Sequence, residues 1–252
     1  MDKKIADLVP GMPKPASNSA WHAIRHLNRA WKVRHIDPEM AMFRSITGEE
    51  EAATALFLSL QRRKYEGADR LRPRDHVHKA AVIPFLVGMN KVLAKWPKPP
   101  KFELTFELQG KAERLLIRFT VRHPRTGEES WGYPEPPLNF VLTRQQIILP
   151  KPLEDFGSGV AEVAAEVNVK DTTEFLKKRA NVRNRLLYAG SQGIPGVAGD
   201  VEAGLALYQS NVFSILRAYM LIDPYPARQA FAQQGLFGFL NMLKQLPEGV
   251  EF

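Results

Sequence analysis

The run Phe102-Glu-Leu-Thr-Phe-Glu-Leu108 alternates apolar and polar residues, and after Gln109-Gly110 a second apolar-rich stretch, Leu115–Arg122, follows. A period of two marks a strand with one buried face, and two such runs across a short polar break read as a β-hairpin. Asn139–Leu149 supplies a third strand, beyond an irregular Pro-rich stretch, Gly132–Pro137. Outside 97–150 the apolar residues recur at three- and four-residue spacing, the repeat of a helix with one face inward. The chain thus predicts a mainly α-helical bundle with a small antiparallel β-sheet, about 102–149, inserted between helices.

Working outward, residues 1–19 hold Pro10, Pro13 and Pro15 and read as a flexible leader. Residues 20–252 read as one helical domain with its insertion at about 97–150. Ser19 can cap a helix Trp21–Val33 that turns Trp21, Ile24, Leu27 and Trp31 inward. Its other faces carry His22, Arg25, His26, Asn28, Arg29 and Lys32, a strongly basic exterior. Asp37-Pro38-Glu39 starts a helix, and Thr47 with Glu50 has the capping-box spacing of a further one through Gln61. Asp75 can cap His76–Lys95, which Pro84 kinks or truly begins. Helix returns over 159–189, Gly190–Gly199 is a glycine-rich break, and two apolar helices follow, Val201–Ile222 and Ala227–Leu246.

The chain contains no cysteine, which excludes disulfides, thiolate metal sites and cysteine nucleophiles. Thirty-five Lys and Arg against 27 Asp and Glu leave a formal charge of +8. That excess fits a solvated surface or a polyanionic partner whose binding weakens as salt rises. No run approaches the roughly 20 apolar residues of a membrane span, and the N-terminus lacks a signal-peptide core. The expected location is the cytoplasm, with no membrane partner. Phosphate-loop, nucleophile-elbow and zincin motifs are missing as well. No cofactor and no metal are expected.

The densest polar cluster is Lys177-Lys178-Arg179-Ala180-Asn181-Val182-Arg183-Asn184-Arg185-Leu186-Leu187-Tyr188. On a helix Arg179 and Arg183 share a face, Lys177, Asn181, Asn184 and Tyr188 form an adjacent stripe, and Phe175, Val182 and Leu186 can face the core. Cations beside amide and phenol groups suit phosphate and base contacts, although a solvated helix face has the same composition. The run Arg183–Tyr188, followed by Gly193-Ile194-Pro195, resembles the late motif of AbiV-type abortive-infection proteins of the HEPN superfamily. Gly48-Glu49-Glu50-Glu51-Ala52-Ala53-Thr54-Ala55-Leu56 resembles the acidic, alanine-rich helix of that family, and Asp75-His76-Val77-His78-Lys79 its His–Lys segment.

The resemblance implies a helical domain of a prokaryotic defence or toxin-type protein that engages RNA, in many members as a metal-independent endoribonuclease. Carried onto this chain, it makes Arg183, Asn184, Tyr188 and His78 the candidate catalytic residues. Lys178, Arg179, Asn181 and Arg185 are the candidate RNA contacts, with Glu50 and Glu51 in support. The family motif places a histidine several positions after its arginine. Here Tyr188 stands in its place, and no histidine occurs after His123. An unperturbed phenol, with a pKa near 10, is a poor proton acceptor at neutral pH. A non-catalytic module that binds nucleic acid or a phage or host protein is therefore the alternative.

His76 and His78 are open to three roles: hydrogen bonds within the bundle, a metal site with Glu49–Glu51, or an RNA site assembled across helices. Glu49–Glu51 either favour the positive start of their helix or reach inward to orient Arg179 or Arg183. Trp131 and Tyr133 can stack bases beside Arg122 and Arg125, whereas Phe102 and Phe106 suit the core. The apolar run Gly235-Leu-Phe-Gly-Phe-Leu240 is either monomer core or a covered subunit contact. With the dimers common among HEPN-like proteins, it leads to an expected homodimer.

Overall fold

The computed structural model describes residues 1–95, 101–109, 112–122, 125–140, 156–188, 196–197 and 199–244. The chain is predominantly α-helical with a small three-stranded antiparallel sheet inserted, as its two periodicities predict. Helices α1 (Asp2–Leu8), α2 (Ala16–Val33), α3 (Pro38–Arg62), α4 (His76–Ala80) and α5 (Val82–Ala94) precede strands β1 (Phe102–Gln109), β2 (Ala112–Arg122) and β3 (Glu129–Gly132). Helices α6 (Phe156–Glu166), α7 (Thr172–Leu187), α8 (Val201–Ile222) and α9 (Ala230–Lys244) follow.

Aspartates start four of these helices. Asp37 accepts from Met40 N at 2.8 Å, Asp75 from Val77 N at 2.8 Å, Asp171 from Thr173 N at 2.7 Å and Asp200 from Glu202 N at 2.8 Å. Each supplies an acceptor to an otherwise orphaned amide of a first turn. The long α3 is the hub, packing against α2, α4, α7 and α8. Its alanines let neighbours close in, and at Gly48 an added Cβ would lie 3.1 Å from the Ala23 carbonyl oxygen of α2. Gly88 of α5 and Gly159 of α6 meet still more tightly, backbone against backbone. One hydrophobic core runs from Ile5 through Phe57, Phe85, Leu176, Leu216 and Tyr219 to Phe239.

Several elements depart from expectation. Residues 1–19 are not a free leader: Ile5 and Val9 are fully buried in the common core, and α2 starts at Ala16 rather than behind Ser19. Two apolar side chains dock this short segment, which proline counting does not weigh. Trp21 turns outward, 39% exposed, because the buried face of α2 is set by Ala20, Ala23, Ile24 and Leu27. The capping box at Thr47 does not form. Helix α3 passes straight through it, and the Thr47 hydroxyl instead donates to the Phe43 carbonyl one turn back at 2.9 Å. The His76–Lys95 segment does break, at Ala81, and Pro84 sits in the first turn of α5, where its missing N–H costs nothing. By length and mean hydropathy (1.2) this segment could cross a membrane, but half of it is buried in the fold.

In the sheet, Phe102 pairs with Phe119 and Phe106 with Leu115, and Phe119 pairs with Gly132. The third strand is Glu129–Gly132, not Asn139–Leu149: Asn139 and Phe140 are not in a strand, and 141–149 lie outside the described residues. Phe140 stacks between Phe102 and Phe231, centroids 5.8 and 4.9 Å away, and so pins the sheet to α9. The apolar C-terminal helices are absorbed within the chain. Phe213, Leu216, Met220, Leu221, Leu236, Phe239, Leu240 and Leu243 are buried and Phe231 is half-buried, while Phe237 at 39% and Leu207 at 61% are exposed. The homodimer therefore rests on the resemblance, not on an uncovered face.

Candidate functional site

Glu49 and Glu50 are consecutive on α3, so their side chains leave the helix about 100° apart. Arg179 and Arg183 lie one turn apart on α7 and share a face. The crossing of α3 and α7 sets one carboxylate against each guanidinium. Arg179 Nη2 is 2.5 Å from Glu49 Oε1, and Arg183 Nη1 is 3.3 Å from Glu50 Oε2. Both carboxylates are buried, their side chains 5% and 7% exposed, while both arginine side chains are about a quarter exposed. The acids are thus the floor of the cluster and the cations its surface.

The two pairs differ in their further partners. The other oxygen of Glu49 accepts from Asn211 Nδ2 of α8 at 2.8 Å, and Arg179 Nε donates to the Ala80 carbonyl at the end of α4, 3.1 Å away. This pair ties α3, α4, α7 and α8 together and caps a helix terminus. Burial works against the Arg179 charge, yet Glu49 and Tyr208 hold its pKa above the ordinary arginine value. Burial also raises the Tyr208 phenol, with Arg179 opposing and Glu49 adding to the rise.

Glu50 gathers a more open set. His76 Nδ1 lies 3.0 Å from each of its oxygens, and Lys79 Nζ lies 3.2 Å from Oε2. On its other side the His76 ring meets Arg183, Nε2 to Nη2 at 3.1 Å. A carboxylate accepts only and a guanidinium donates only, so the tautomer satisfying both contacts has its hydrogen on Nδ1 and a lone pair on Nε2. The Arg183 guanidinium also lies 5.9 Å from the centre of the Phe43 ring. A buried carboxylate orienting an imidazole, whose far nitrogen faces a half-open arginine, is the carboxylate–histidine arrangement of general-base sites.

Of the sequence-predicted residues, Arg183, Arg179 and Glu50 are in this cluster; Glu51 is half-buried on α3 and has no ion pair among the described residues. The acids sit in mid-helix, so the inward role, not the helix-start role, is the one they fill. His78 turns away from the cluster. Its Nδ1 accepts from the Arg72 amide at 3.3 Å, and burial lowers its pKa against the pull of Asp75. Tyr188 is the C-cap of α7, in extended backbone and 69% exposed, outside the helical run that carries Arg183. Asn184 is half-buried, while Lys178, Asn181 and Arg185 lie on the outer face of α7, Lys178 paired with Glu174 at 2.5 Å. Leu176 and Ala180 are the buried positions of α7, Phe175 packs half-buried against the core, and Val182 and Leu186 are half-buried, so the face shared by Leu176, Arg179, Ala180 and Arg183 is the inward one.

Gly193, Ile194 and Pro195 lie outside the described residues. Sequence reasoning named Glu49 and His76 among open alternatives and gave Lys79 and Asn211 no part in the site. The acid-pair and arginine-pair spacing hinted at the cluster. Among the described residues no three His, Asp or Glu side chains are grouped to hold a metal ion. Trp131 lies in β3, 40% exposed, with Arg118 over its ring at 4.4 Å and Arg118 itself held by Glu103. Compared with protein-family models, curated proteins and solved structures, the chain matches none.

Proposed function

We propose that the protein engages RNA at the Arg183–His76 pair and cleaves it there as a metal-independent endoribonuclease, of the defence or toxin type that the HEPN resemblance implies. The observation that carries this reading is the chain of contacts Glu50–His76–Arg183, in which an oriented imidazole and a cation share one surface. Its support is that the three stretches of the resemblance, 48–56 on α3, 75–79 on α4 and 183–188 at the end of α7, each contribute to that chain. Three cations, Lys79, Arg179 and Arg183, face two carboxylates there, so the cluster keeps a formal positive charge for a phosphate.

RNA brings its own nucleophile, so the protein need supply only proton transfer and charge stabilisation. A phosphate drawn onto Arg183 releases His76 Nε2. That nitrogen takes the proton of the ribose 2′-hydroxyl, the 2′-oxygen bonds to phosphorus, and the bond to the 5′-oxygen breaks. The leaving oxygen takes a proton from water, giving a 2′,3′-cyclic phosphate and a 5′-hydroxyl. Glu50 holds the imidazole and Arg183 balances the charge on the pentavalent phosphorus. Binding without cleavage is the second reading, favoured by one fact: the His76 lone pair is occupied by Arg183 in this structure.

End-labelled RNA incubated with pure protein in EDTA tests the proposal. Cleavage by the wild type, lost in His76→Ala with binding kept and lost in Arg183→Ala with binding weakened, supports it. RNA bound equally by all three and left intact moves the function to the binding reading.

A further inference from the structure

Helix α2 contains no aspartate or glutamate in its eighteen residues. Its solvent face carries Trp21, His22, Arg25, Arg29 and Lys32, all exposed, and none of these cations has an ion pair among the described residues. Arg25 and Arg29 are one turn apart and Lys32 follows three residues later, a row of like charges at about 5–6 Å spacing. Such a row repels itself on an isolated helix, and a row of phosphates relieves it. By contrast, Arg34, just past α2, takes Glu202 at 2.7 Å, and Arg217 takes Asp2 at 2.7 Å.

The row continues onto α3. Where the two helices touch at Gly48, the His26 Cβ is 3.4 Å from the position of an added methyl, and Arg44 lies one turn earlier on α3. Burial first, then His22, Arg44, Arg29 and Arg25, push the His26 imidazole down to about 4, so these charges act on one spot. Its Nδ1 is buried without a hydrogen-bond partner. Phe43, the neighbour of Arg44, has the Arg183 guanidinium over its ring. The basic face of α2 therefore connects through Arg44 and Phe43 to the Glu50–His76–Arg183 chain.

We propose that the exposed face of α2, with Arg44, is a track for single-stranded RNA that feeds the Arg183–His76 pair, its cations on the phosphates and Trp21 stacked on a base. The proposal rests on the RNA reading of that pair and adds where the flanking nucleotides lie. Exposed aromatic rings beside a cationic row are the elements of a sequence-tolerant single-strand surface. A membrane surface fits less well, because the apolar face a lipid-bound helix would insert is here packed in the core through Ala20, Ala23, Ile24 and Leu27.

Fluorescence anisotropy with a labelled single-stranded 12-mer RNA, titrated with the full chain at several salt concentrations, tests the track. Circular dichroism checks that each variant is folded. Arg25→Ala/Arg29→Ala/Lys32→Ala is expected to weaken binding at least about tenfold near 0.1 M salt and to lower the salt slope by about 2, three contacts at roughly 0.7 each. Trp21→Ala is expected to weaken it at least about fivefold with the slope unchanged. If the wild type binds and these variants bind as well as it does, the track is overturned while the Arg183–His76 reading stands. If they lose binding but Arg183→Ala and His76→Ala neither bind nor cleave differently from wild type, the site reading falls and the feeding role of α2 with it, and what remains is an RNA-binding face. Failure of the wild type to bind RNA, with or without capture by phosphatidylserine vesicles, overturns both.

Discussion

Replacing Glu50 by Gln removes one charge from beneath three partners at once. Lys79 Nζ, on a side chain only 10% exposed, loses its counter-charge at 3.2 Å, and Arg183 loses its own at 3.3 Å. His76 Nδ1 keeps an acceptor only if the amide oxygen faces it, in which case the amide NH2 faces the two cations. Breaking a buried ion pair from one side costs about 3–5 kcal/mol. Arg183, a quarter exposed, can recover water, and the amide oxygen retains one hydrogen bond, so the loss falls to the bottom of that range or just under it, about 2–3 kcal/mol. For a chain of this length that is a fall in Tm of about 4–12 °C. Urea denaturation followed by circular dichroism measures it. The charge origin is checked by Glu50→Gln/Lys79→Met, which should regain at least about 1 kcal/mol because the stranded ammonium is gone. A loss below about 0.5 kcal/mol with no recovery in the double variant would refute the reasoning, since it would mean the carboxylate is hydrated and holds nothing.

His26 gives a pH signature: held near 4 in the fold against about 6.5 unfolded, it stays neutral while the unfolded chain takes up a proton. Its contribution is therefore complete above pH 6.5 and fades between pH 6.5 and 4. For a half-exposed ring screened by water it amounts to about 1–2 kcal/mol, read as the wild type losing that much more than His26→Gln between pH 7 and 4.5. Gly159→Ala should cost about 2–3 kcal/mol in the same urea assay, because its Cβ would lie 2.6 Å from the Gly88 carbonyl carbon and backbone cannot step aside. Tyr188→Phe, on a side chain 69% exposed, should leave both stability (within about 0.5 kcal/mol) and any RNA cleavage unchanged; a large loss of cleavage alone would return Tyr188 to the site.

The fold class was legible because the two periodicities are local. The alternation at 102–108 and the aspartates at 37 and 75 act within one strand or one turn, where sequence neighbours are spatial neighbours. What failed was decided at longer range. The Thr47 capping box is a valid local pattern, but α3 is already helical when it arrives from Asp37, so no terminus is there to cap. Residues 1–19 escape a local reading because Ile5 and Val9 find their pocket only once distant helices are assembled. Within the site the four-residue spacing of Arg179 and Arg183 was readable, and so was an inward role for the acids. Which histidine faces them was not, because it depends on the phase of a five-residue helix set by its cap at Asp75. One position of rotation separates His76 at the cluster from Val77, and His78 lies a further step away, bonded to the Arg72 amide.

The two carboxylate–guanidinium pairs look alike in sequence, and their surroundings separate what each does. Arg179 spends its donors inside the protein, on Glu49 and on the Ala80 carbonyl, while Asn211 fills the other oxygen of Glu49. Every strong contact of that pair joins one helix to another, so an anion drawing Arg179 away from Glu49 and the Ala80 carbonyl would loosen contacts among four helices. Arg183 has a different circle: a half-open imidazole, an aromatic ring and a shared carboxylate at the longer distance of 3.3 Å. A phosphate can replace the imidazole as its partner at little structural cost, and doing so uncovers the His76 lone pair. The first pair fixes the crossing of α3, α4, α7 and α8, and that crossing is what holds the second pair ready to exchange partners.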